Sequence, residues 1–569
     1  MNSLSGILAG RARRVLLGVC AVAAVAGCRA VPATVTRPVI PGADDVGIAA
    51  DVVLPPQVPP NGVPVILIQA RYWRSFQLRG GGRSNRVPMG PRDATVERLV
   101  AAGFGVVVTD VRGTGASTGT WAWPWSAGEV RDMGPVIDWI VAQPWSNGAV
   151  GATGASYEGT TALLAATTGR PALRAVLARE IEWNLVDEII APGAVRNIGF
   201  VDAWSRSVDA LDHGRVPELF PRLARFGIRG VSPTSDDPKG AALHARMSAR
   251  PATAVARRAA AVRSGDDRFG ADAPPTDSLG PAGHTSELAT TRAVVGIWGS
   301  WWDGATADAV FRAQAAMPVA EAVIGPWAHE GETNASPLRR NDSERATVDV
   351  EAVVAFFRRH LLPADTTASS PRLSWYVAGA ERWHSGDRWP DTRSDTLHLV
   401  RERLTAASAV TAGAASPRTL VVDWAASTGR NSRWTTGLAR PVDAPERADA
   451  RGLLSWHSAP LEAPLSVFGA AEFTCPVALD VPEAALHVYL ESVDPARRVR
   501  LLTEGVQRIR GGVARVRIRP TAFALPAGWS LRLSVAGADA GAFERVPAAG
   551  SQRLQFGIEG CQVQLPVVR

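Results

Sequence analysis

The hexapeptide Gly154-Ala155-Ser156-Tyr157-Glu158-Gly159 sets one serine among small residues. An apolar strand pattern precedes this serine and a helix pattern follows it, which predicts a sharp turn that exposes the hydroxyl above a sheet. The start of the helix favours negative charge that develops nearby. A serine in this position is suited to attack an ester or amide carbonyl. Glu158 departs from the usual Gly-x-Ser-x-Gly elbow, whose last glycine would stand there.

A serine nucleophile needs a base, and the base needs a carboxylate that orients it. In a sheet of this kind the acid and then the histidine follow later strands. Asp303 comes after a predicted strand that ends at Trp298, and His329 comes after the next predicted strand. Among the nine histidines, His329 best combines this order with a position at a strand end. We therefore predict a catalytic triad of Ser156, Asp303 and His329.

The elements that must position these residues are visible as apolar patterns. Strands are predicted at 65–68, 105–110, 149–153, 293–298 and 320–324, and helices at 94–102, 130–142, 157–164 and 348–360. This alternation predicts the α/β class, with a parallel sheet covered by helices on both faces.

The remaining texture divides the chain into further units. Residues 181–287 are helical and loop-rich and predict a cap inserted into an α/β-hydrolase core, which then comprises 41–180 and 288–369. Residues 370–569 contain runs that alternate apolar and polar side chains, which predicts a C-terminal β-sandwich of the jelly-roll type. A chain of 569 residues is expected to form two or three domains.

Residues 1–27 have the organisation of an export signal. Three arginines precede the apolar run 15–24, which is too short to span a membrane. The run leads into Val25-Ala26-Gly27-Cys28, which is similar to the bacterial lipoprotein box. We expect lipidation of Cys28, a tether at 28–40 and attachment to a membrane of the cell envelope. The alternative is an ordinary signal peptide and a periplasmic or secreted protein.

Cys475 and Cys561 are the two cysteines of the predicted globular part. In an oxidising compartment they are expected to form a disulfide, and two buried thiols are the alternative. No Cys-x-x-Cys or His/Cys cluster indicates a metal, so neither a metal nor a cofactor is expected.

Composition and charge limit the possible partners. The chain is 46% hydrophobic and 20% charged, as is typical of globular proteins. Its net charge of +7 comes almost entirely from arginines that are spread along the chain, so nucleic-acid binding is not expected. No segment predicts an oligomeric state.

Several motifs in order resemble those of the CocE/NonD hydrolases, the family of cocaine esterase, α-amino-acid ester hydrolases and X-prolyl dipeptidyl-peptidases. They are Arg71-Tyr72-Trp73-Arg74, Asp110-x-Arg112-Gly113-x-Gly115-x-Ser117, Gln143-Pro144-Trp145-Ser146, the Ser156 motif, Trp301-Trp302-Asp303-Gly304 and Gly325-Pro326-Trp327-x-His329. The resemblance covers nearly all of the chain after the signal and implies a hydrolase core, a helical cap and a jelly roll. The family carries its glycine at the place of Gly159, which accounts for Glu158.

The resemblance also implies an oxyanion hole made of the Tyr72 hydroxyl and the backbone N–H of Tyr157. Two preorganised donors aimed at a tetrahedral oxyanion stabilise the transition state.

The substrate pocket is predicted from residues that adjoin these motifs. Loop tryptophans could line an apolar acyl pocket, with packing between domains as the alternative; they are Trp121, Trp123, Trp125, Trp301 and Trp302. A substrate with a free ammonium would need a carboxylate, for which Glu180 and Glu182 lie just past a strand end. Residues 304–306 lack the acidic groups that the amino-ester branch has there.

These residues favour a serine esterase or acyl hydrolase that cleaves esters (or amides) of uncharged acyl groups through an acyl-enzyme on Ser156. One alternative is an X-prolyl dipeptidyl-peptidase that acts on short peptides. The other is an inactive envelope protein with a binding or scaffold role.

Overall fold

The computed structural model describes residues 33–79, 93–218, 220, 222–331, 333–340, 343, 346–362, 372–406, 417–428, 432–438, 452–557 and 560–569. The predicted signal, Cys28 and the first part of the tether lie outside these residues. No helix within the described ranges is both long and apolar enough to cross a membrane.

The described residues between 34 and 386 form thirteen strands. They are β1 (Thr34–Thr36), β2 (Val39–Pro41), β3 (Gly47–Leu54), β4 (Val63–Ala70), β5 (Phe76–Leu78), β6 (Gly105–Asp110), β7 (Ser146–Ala155), β8 (Leu173–Arg179), β9 (Ile228–Val231), β10 (Val294–Ser300), β11 (Glu321–Gly325), β12 (Leu373–Val377) and β13 (Arg382–Gly386).

Ten of these strands form one continuous sheet in the order β1-β3-β6-β4-β7-β8-β10-β11-β12-β13, and β2 pairs with β3 at its edge. The pairs from β6 through β12 are parallel, whereas β3 and β13 run antiparallel to their neighbours. The buried apolar runs that predicted strands form the centre of this sheet, because strands covered on both faces are apolar throughout. The predicted α/β class is confirmed.

The helices of the described residues cover this sheet and build the cap. They are α1 (Asp93–Ala101), α2 (Ala127–Val141), α3 (Tyr157–Ala165), α4 (Ile198–Asp212), α5 (Arg222–Gly227), α6 (Ala241–Ala249), α7 (Val255–Arg258), α8 (Thr285–Ala289), α9 (Thr306–Ala316) and α10 (Val350–Leu361). Helices α4 to α8 belong to the segment predicted as a cap. This cap also contains a strand, since β9 pairs antiparallel with β5 of the core.

The C-terminal domain is rich in sheet, as predicted. Its strands are β14 (Thr392–Val400), β15 (Arg403–Ala406), β16 (Arg418–Val421), β17 (Leu454–His457), β18 (Leu465–Gly469), β19 (Glu472–Leu479), β20 (Ala484–Val493), β21 (Val499–Ile509), β22 (Gly512–Arg517), β23 (Thr521–Leu525), β24 (Ser530–Ala536), β25 (Arg553–Phe556) and β26 (Gln562–Val568). A disulfide joins Cys475 in β19 to Cys561 immediately before β26. These two strands also pair with each other.

Strands β12 and β13 follow the predicted boundary at residue 370 and extend the hydrolase sheet. The strands of the second large sheet begin with β14. The alternation of apolar and polar residues in β13 resembles that of the sandwich strands, because an edge strand is also exposed on one side.

Candidate active site

Five neighbouring parallel strands, β4, β7, β8, β10 and β11, end at the same edge of the sheet. Each is followed by a residue that was singled out from the sequence. Tyr72 follows β4, Ser156 follows β7, Glu180 follows β8, Asp303 follows β10 and His329 follows β11. The carboxyl edge of an open α/β sheet is where such folds bind ligands.

Ser156 occupies a strained turn between β7 and α3. Its backbone has φ 61° and ψ −130°, a conformation that non-glycine residues rarely adopt and that clusters at functional sites. A Cβ at Gly159 would lie 2.2 Å from the carbonyl oxygen of Arg179 in β8, so the helix can pack here only with glycine. This close approach explains why the motif needs its glycine at 159 and tolerates Glu158.

The acid and base side chains are paired. Nδ1 of His329 lies 2.8 Å from Oδ2 of Asp303, and the side chains are 12% and 4% exposed. A proton on Nδ1 donated to this carboxylate leaves Nε2 as the proton acceptor. Ser156, Asp303 and His329 line the same cavity, so the structure brings the predicted triad together.

The loop that carries Asp303 is anchored by Trp301 and Trp302, which were predicted to line the substrate pocket. The Trp301 indole donates to the carbonyl of Tyr376 at 2.8 Å, and the Trp302 indole donates to the carbonyl of Leu502 at 2.9 Å. Both rings are buried between the core and the C-terminal domain, and neither lines the cavities beside Ser156 that the described residues form. Trp301 and Trp302 therefore pack between the domains, which was the alternative interpretation.

Tyr72 lies where an oxyanion donor is expected, because it lines a cavity together with Ser156 and Tyr157. Its hydroxyl oxygen accepts a hydrogen bond of 2.9 Å from the indole N–H of Trp204 in cap helix α4. Burial raises the pKa of Tyr72 well above its usual value, so the phenol keeps its proton. The hydroxyl can therefore donate to an oxyanion while Trp204 fixes its position.

Tyr157, whose backbone N–H is the second predicted oxyanion donor, begins helix α3, and a buried network fixes its side chain. Its hydroxyl donates to Glu129 at 2.8 Å and accepts from the indole of Trp121 at 3.0 Å. Burial raises the pKa of Glu129 to about 8. Trp121 thus holds the Tyr157 side chain and, contrary to the prediction, lines neither cavity beside Ser156 in the described part of the chain.

A mainly apolar cavity opens beside Ser156, and we call it the apolar cavity. Apart from Ser156, Tyr72, Tyr157 and Glu182, its wall consists of apolar side chains from the core and the cap: Pro124, Trp125, Leu185, Ile189, Ile190, Phe200, Val201, Trp204, Val255 and Phe269. Of the three predicted tryptophans at 121–125, only Trp125 lines it among the described residues; Trp123 does not.

A second cavity lies on the His329 side of Ser156, and we call it the polar cavity. Its wall combines the triad with polar and apolar groups from the core, the cap and the C-terminal domain: Ile181, Glu182, Glu188, Ile189, Asn197, Phe200, Gly304, Ala305, Thr306, Arg433 and Trp434. Burial raises the pKa of Glu188 to about 8.

Glu182 lines both cavities, as the sequence suggested for a carboxylate near the substrate. Its carboxylate accepts from the Thr160 hydroxyl at 3.2 Å. Burial raises its pKa to about 7, although the nearby His329 opposes this shift. Glu180 has a different position, because its carboxylate lies 3.7 Å from Nδ1 of His329 and it lines neither cavity of the described site.

The sequence missed Phe200, Trp204, Arg433 and Trp434. The first two lie on amphipathic helix α4, whose periodicity shows only that one face is buried. The last two lie more than a hundred residues from His329 in the sequence, at the start of the short 3-10 helix Arg433–Leu438, which reaches the site only through domain packing.

Comparisons with known proteins identify the family of this chain. The pattern of the X-Pro dipeptidyl-peptidase (S15) family matches residues 44–331, and that of the X-Pro dipeptidyl-peptidase C-terminal non-catalytic domain matches residues 366–559. A Mycobacterium bovis protein with the provisional name of serine esterase is 30% identical, over 92% of this chain and 94% of that protein. Cocaine esterase of a Rhodococcus species is 24% identical, over 83% of this chain and 82% of that enzyme.

Among solved structures, an aminopeptidase from a marine sediment Thaumarchaeota archaeon has a TM-score of 0.69 at 17% identity. The match covers 95% of this chain and 97% of the archaeal chain, and it supports the fold. The resemblance predicted from the sequence motifs is therefore confirmed. The chain belongs to the S15 family of X-Pro dipeptidyl-peptidases and CocE/NonD hydrolases, and it is a serine hydrolase by family.

Proposed function

We propose that the protein is an esterase that cleaves esters of apolar, uncharged acyl groups through a covalent acyl-enzyme on Ser156. The observation that carries this proposal is the apolar cavity, which adjoins Ser156 and the two oxyanion donors and is walled mainly by aromatic and aliphatic side chains. The serine esterase name of the mycobacterial relative supports the same choice.

The residues can perform acyl transfer in two balanced steps. Nε2 of His329 takes the Ser156 proton while Oγ bonds to the carbonyl carbon and the carbonyl electron pair moves to oxygen. Tyr72 and the N–H of Tyr157 stabilise this oxyanion. The imidazolium then protonates the leaving group as the bond to it breaks. Water repeats the sequence on the acyl-enzyme and releases the acid.

The two cavities divide the substrate between them. The leaving group must lie close to His329, since His329 gives it a proton, and His329 lines the polar cavity. The acyl group then occupies the apolar cavity on the other side of Ser156.

Glu182 supports a second candidate, an aminoacyl ester hydrolase or X-prolyl dipeptidyl-peptidase. Such an enzyme must bind a substrate ammonium, and Glu182 presents a carboxyl group to both cavities. With a pKa of about 7, this group is only partly ionised at neutral pH, which makes it a weak partner for a cation.

The distinguishing experiment compares purified wild type with Ser156→Ala on matched substrates. The panel contains p-nitrophenyl esters of arylacetyl groups, the same esters with an α-amino group, and X-Pro anilides. We expect the uncharged arylacetyl esters to give the highest kcat/KM in the wild type and no turnover in the variant. A preference for X-Pro anilides would establish the peptidase, and turnover of nothing would favour the inactive envelope protein.

We also propose that the protein is anchored to a membrane of the cell envelope through lipid on Cys28, with Val25-Ala26-Gly27-Cys28 as the supporting motif. Metabolic labelling with an alkyne fatty acid should mark the wild type and not Cys28→Ser. A Cys28→Ser protein that is still labelled would contradict the anchor.

A further inference from the structure

Glu180 is a buried carboxylate whose position the acyl-transfer steps above leave unused. It directly follows β8, which is the immediate neighbour of the strand that leads to Asp303. It is 1% exposed, and its backbone has φ 52°, in the left-handed region that a glutamate seldom adopts. Its N–H donates to the carbonyl of Trp298 at 2.6 Å. Strained backbone of this kind persists where the surrounding structure holds the residue in place, and it clusters at active sites.

The Glu180 carboxylate faces the catalytic imidazole together with Asp303. Its Oε2 lies 3.7 Å from Nδ1 of His329, while Oδ2 of Asp303 lies 2.8 Å from the same nitrogen. One carboxylate oxygen of Glu180, one of Asp303 and one ring nitrogen of His329 all lie within 4.8 Å of one another. One ring nitrogen therefore meets two buried carboxylates that come from adjacent strands.

We propose that Glu180 is a second positioning carboxylate of His329, which stabilises the imidazolium jointly with Asp303 and accepts the hydrogen bond from the Nδ1 N–H when Asp303 is absent. The inference rests on the proposed function, because it requires His329 to become an imidazolium during acyl transfer. When Nε2 takes the Ser156 proton, the ring gains a positive charge and keeps its Nδ1 proton. Two buried carboxylates stabilise that charge more than one.

Other charged groups near His329 also act on the charge of its imidazolium. Glu182 follows the same strand as Glu180 and interacts electrostatically with His329. Arg433 of the C-terminal domain also lines the polar cavity. Neither is changed in the test.

The test measures the second-order rate at which a fluorophosphonate labels Ser156, because this rate does not depend on the natural substrate. Four proteins are compared: wild type, Glu180→Gln, Asp303→Ala and the double variant. Alanine at 303 leaves room for the Glu180 carboxylate and introduces no competing amide. We expect Glu180→Gln to slow labelling by about tenfold in the wild type and by at least about a hundredfold in the Asp303→Ala background.

The pH profile gives a readout that a merely structural role would not move. Loss of a carboxylate beside the imidazole lowers the pKa of His329, so the acid limb of labelling should move to lower pH by up to about one unit in Glu180→Gln. Glu381→Gln is the matched control, since Glu381 is also buried and has φ 54°, but its carboxylate accepts from Ser336 and Ser343 and lines neither of the two cavities in the described structure. This control should leave the acid limb in place.

Equal effects of Glu180→Gln in both backgrounds, with an unmoved acid limb, would overturn the proposal. Failure of the wild type to be labelled at all is a different result, because it would overturn the proposed function and the role of Glu180 with it. Melting temperatures of all variants separate loss of folding from loss of reactivity.

Discussion

The two sides of Ser156 are built in different ways. On one side the apolar cavity is walled mainly by core and cap side chains without charge, and its hydrogen-bonding groups, Tyr72 and Tyr157, are supported by the indoles of Trp204 and Trp121. On the other side the polar cavity contains the triad and further ionisable groups from three parts of the chain.

Under the proposed function, the apolar side selects the acyl group and the polar side carries out the proton transfers. Apolar walls select an acyl group by shape and burial, whereas charged groups move the protons that every substrate requires. Changes on the polar side should therefore affect all esters alike. Changes in the wall of the apolar cavity should depend on the acyl group.

The largest effect is expected for His329→Ala on the polar side. Loss of the base should lower kcat by about 10⁴- to 10⁶-fold for every ester, while KM changes little. Steady-state kinetics on short and bulky acyl esters measure this. A loss confined to one acyl group would break the comparison.

A smaller effect is expected for Tyr72→Phe, which removes one oxyanion donor and keeps the ring. We expect kcat to fall by about 10²- to 10³-fold, because this hydrogen bond strengthens in the transition state. The variant should still be labelled only at Ser156. An unchanged kcat would remove Tyr72 from the oxyanion hole.

Trp204→Phe tests whether the cap helix orients that donor. The change removes the indole N–H to Tyr72 and keeps an aromatic wall, so kcat should fall by about five- to tenfold with KM nearly constant. Trp125→Phe is the matched control, because its ring lines the same cavity and its indole N–H has no hydrogen-bond partner among the described residues. Equal losses in both variants would mean that the ring matters and the hydrogen bond does not.

The smallest effect concerns Glu182 and pH. Its pKa of about 7 means that it gains negative charge as pH rises from 6 to 8. Two nearly isosteric acyl esters, one ending in tert-butyl and one in trimethylammonium, should therefore change their kcat/KM ratio by a few fold in favour of the cation over this range. Glu182→Gln should flatten the ratio. A ratio that is flat in both proteins would place Glu182 away from the acyl group.

Glu182 also makes the stability of the folded protein depend on pH. The pKa of Glu182 in the folded protein lies above its usual value of 4.5, so its stabilising contribution is complete below pH 4.5 and is lost as pH rises through about 7. Thermal unfolding of the wild type and Glu182→Gln between pH 4 and 8 measures this contribution. The melting temperature of the wild type, relative to that of Glu182→Gln, should fall as pH rises.

The triad could be predicted from sequence because each member follows a strand in a fixed chain order, and parallel strands end at one edge. The sites of Trp301 and Trp302 could not, since proximity to Asp303 in the chain does not determine where a side chain points. Both indoles point instead to the carbonyl groups of distant strands. Trp204 and Arg433 reach the site only after the cap and the C-terminal domain have packed, and these contacts leave no local pattern.

The central claim, that Ser156 is the nucleophile of a working triad, is tested most directly by covalent labelling. Wild-type protein and Ser156→Ala are treated with a fluorophosphonate, and intact mass and peptide mapping locate the adduct. We predict one adduct on Ser156 in the wild type and none in the variant. An adduct on another residue, or none in a folded wild type, would contradict the account.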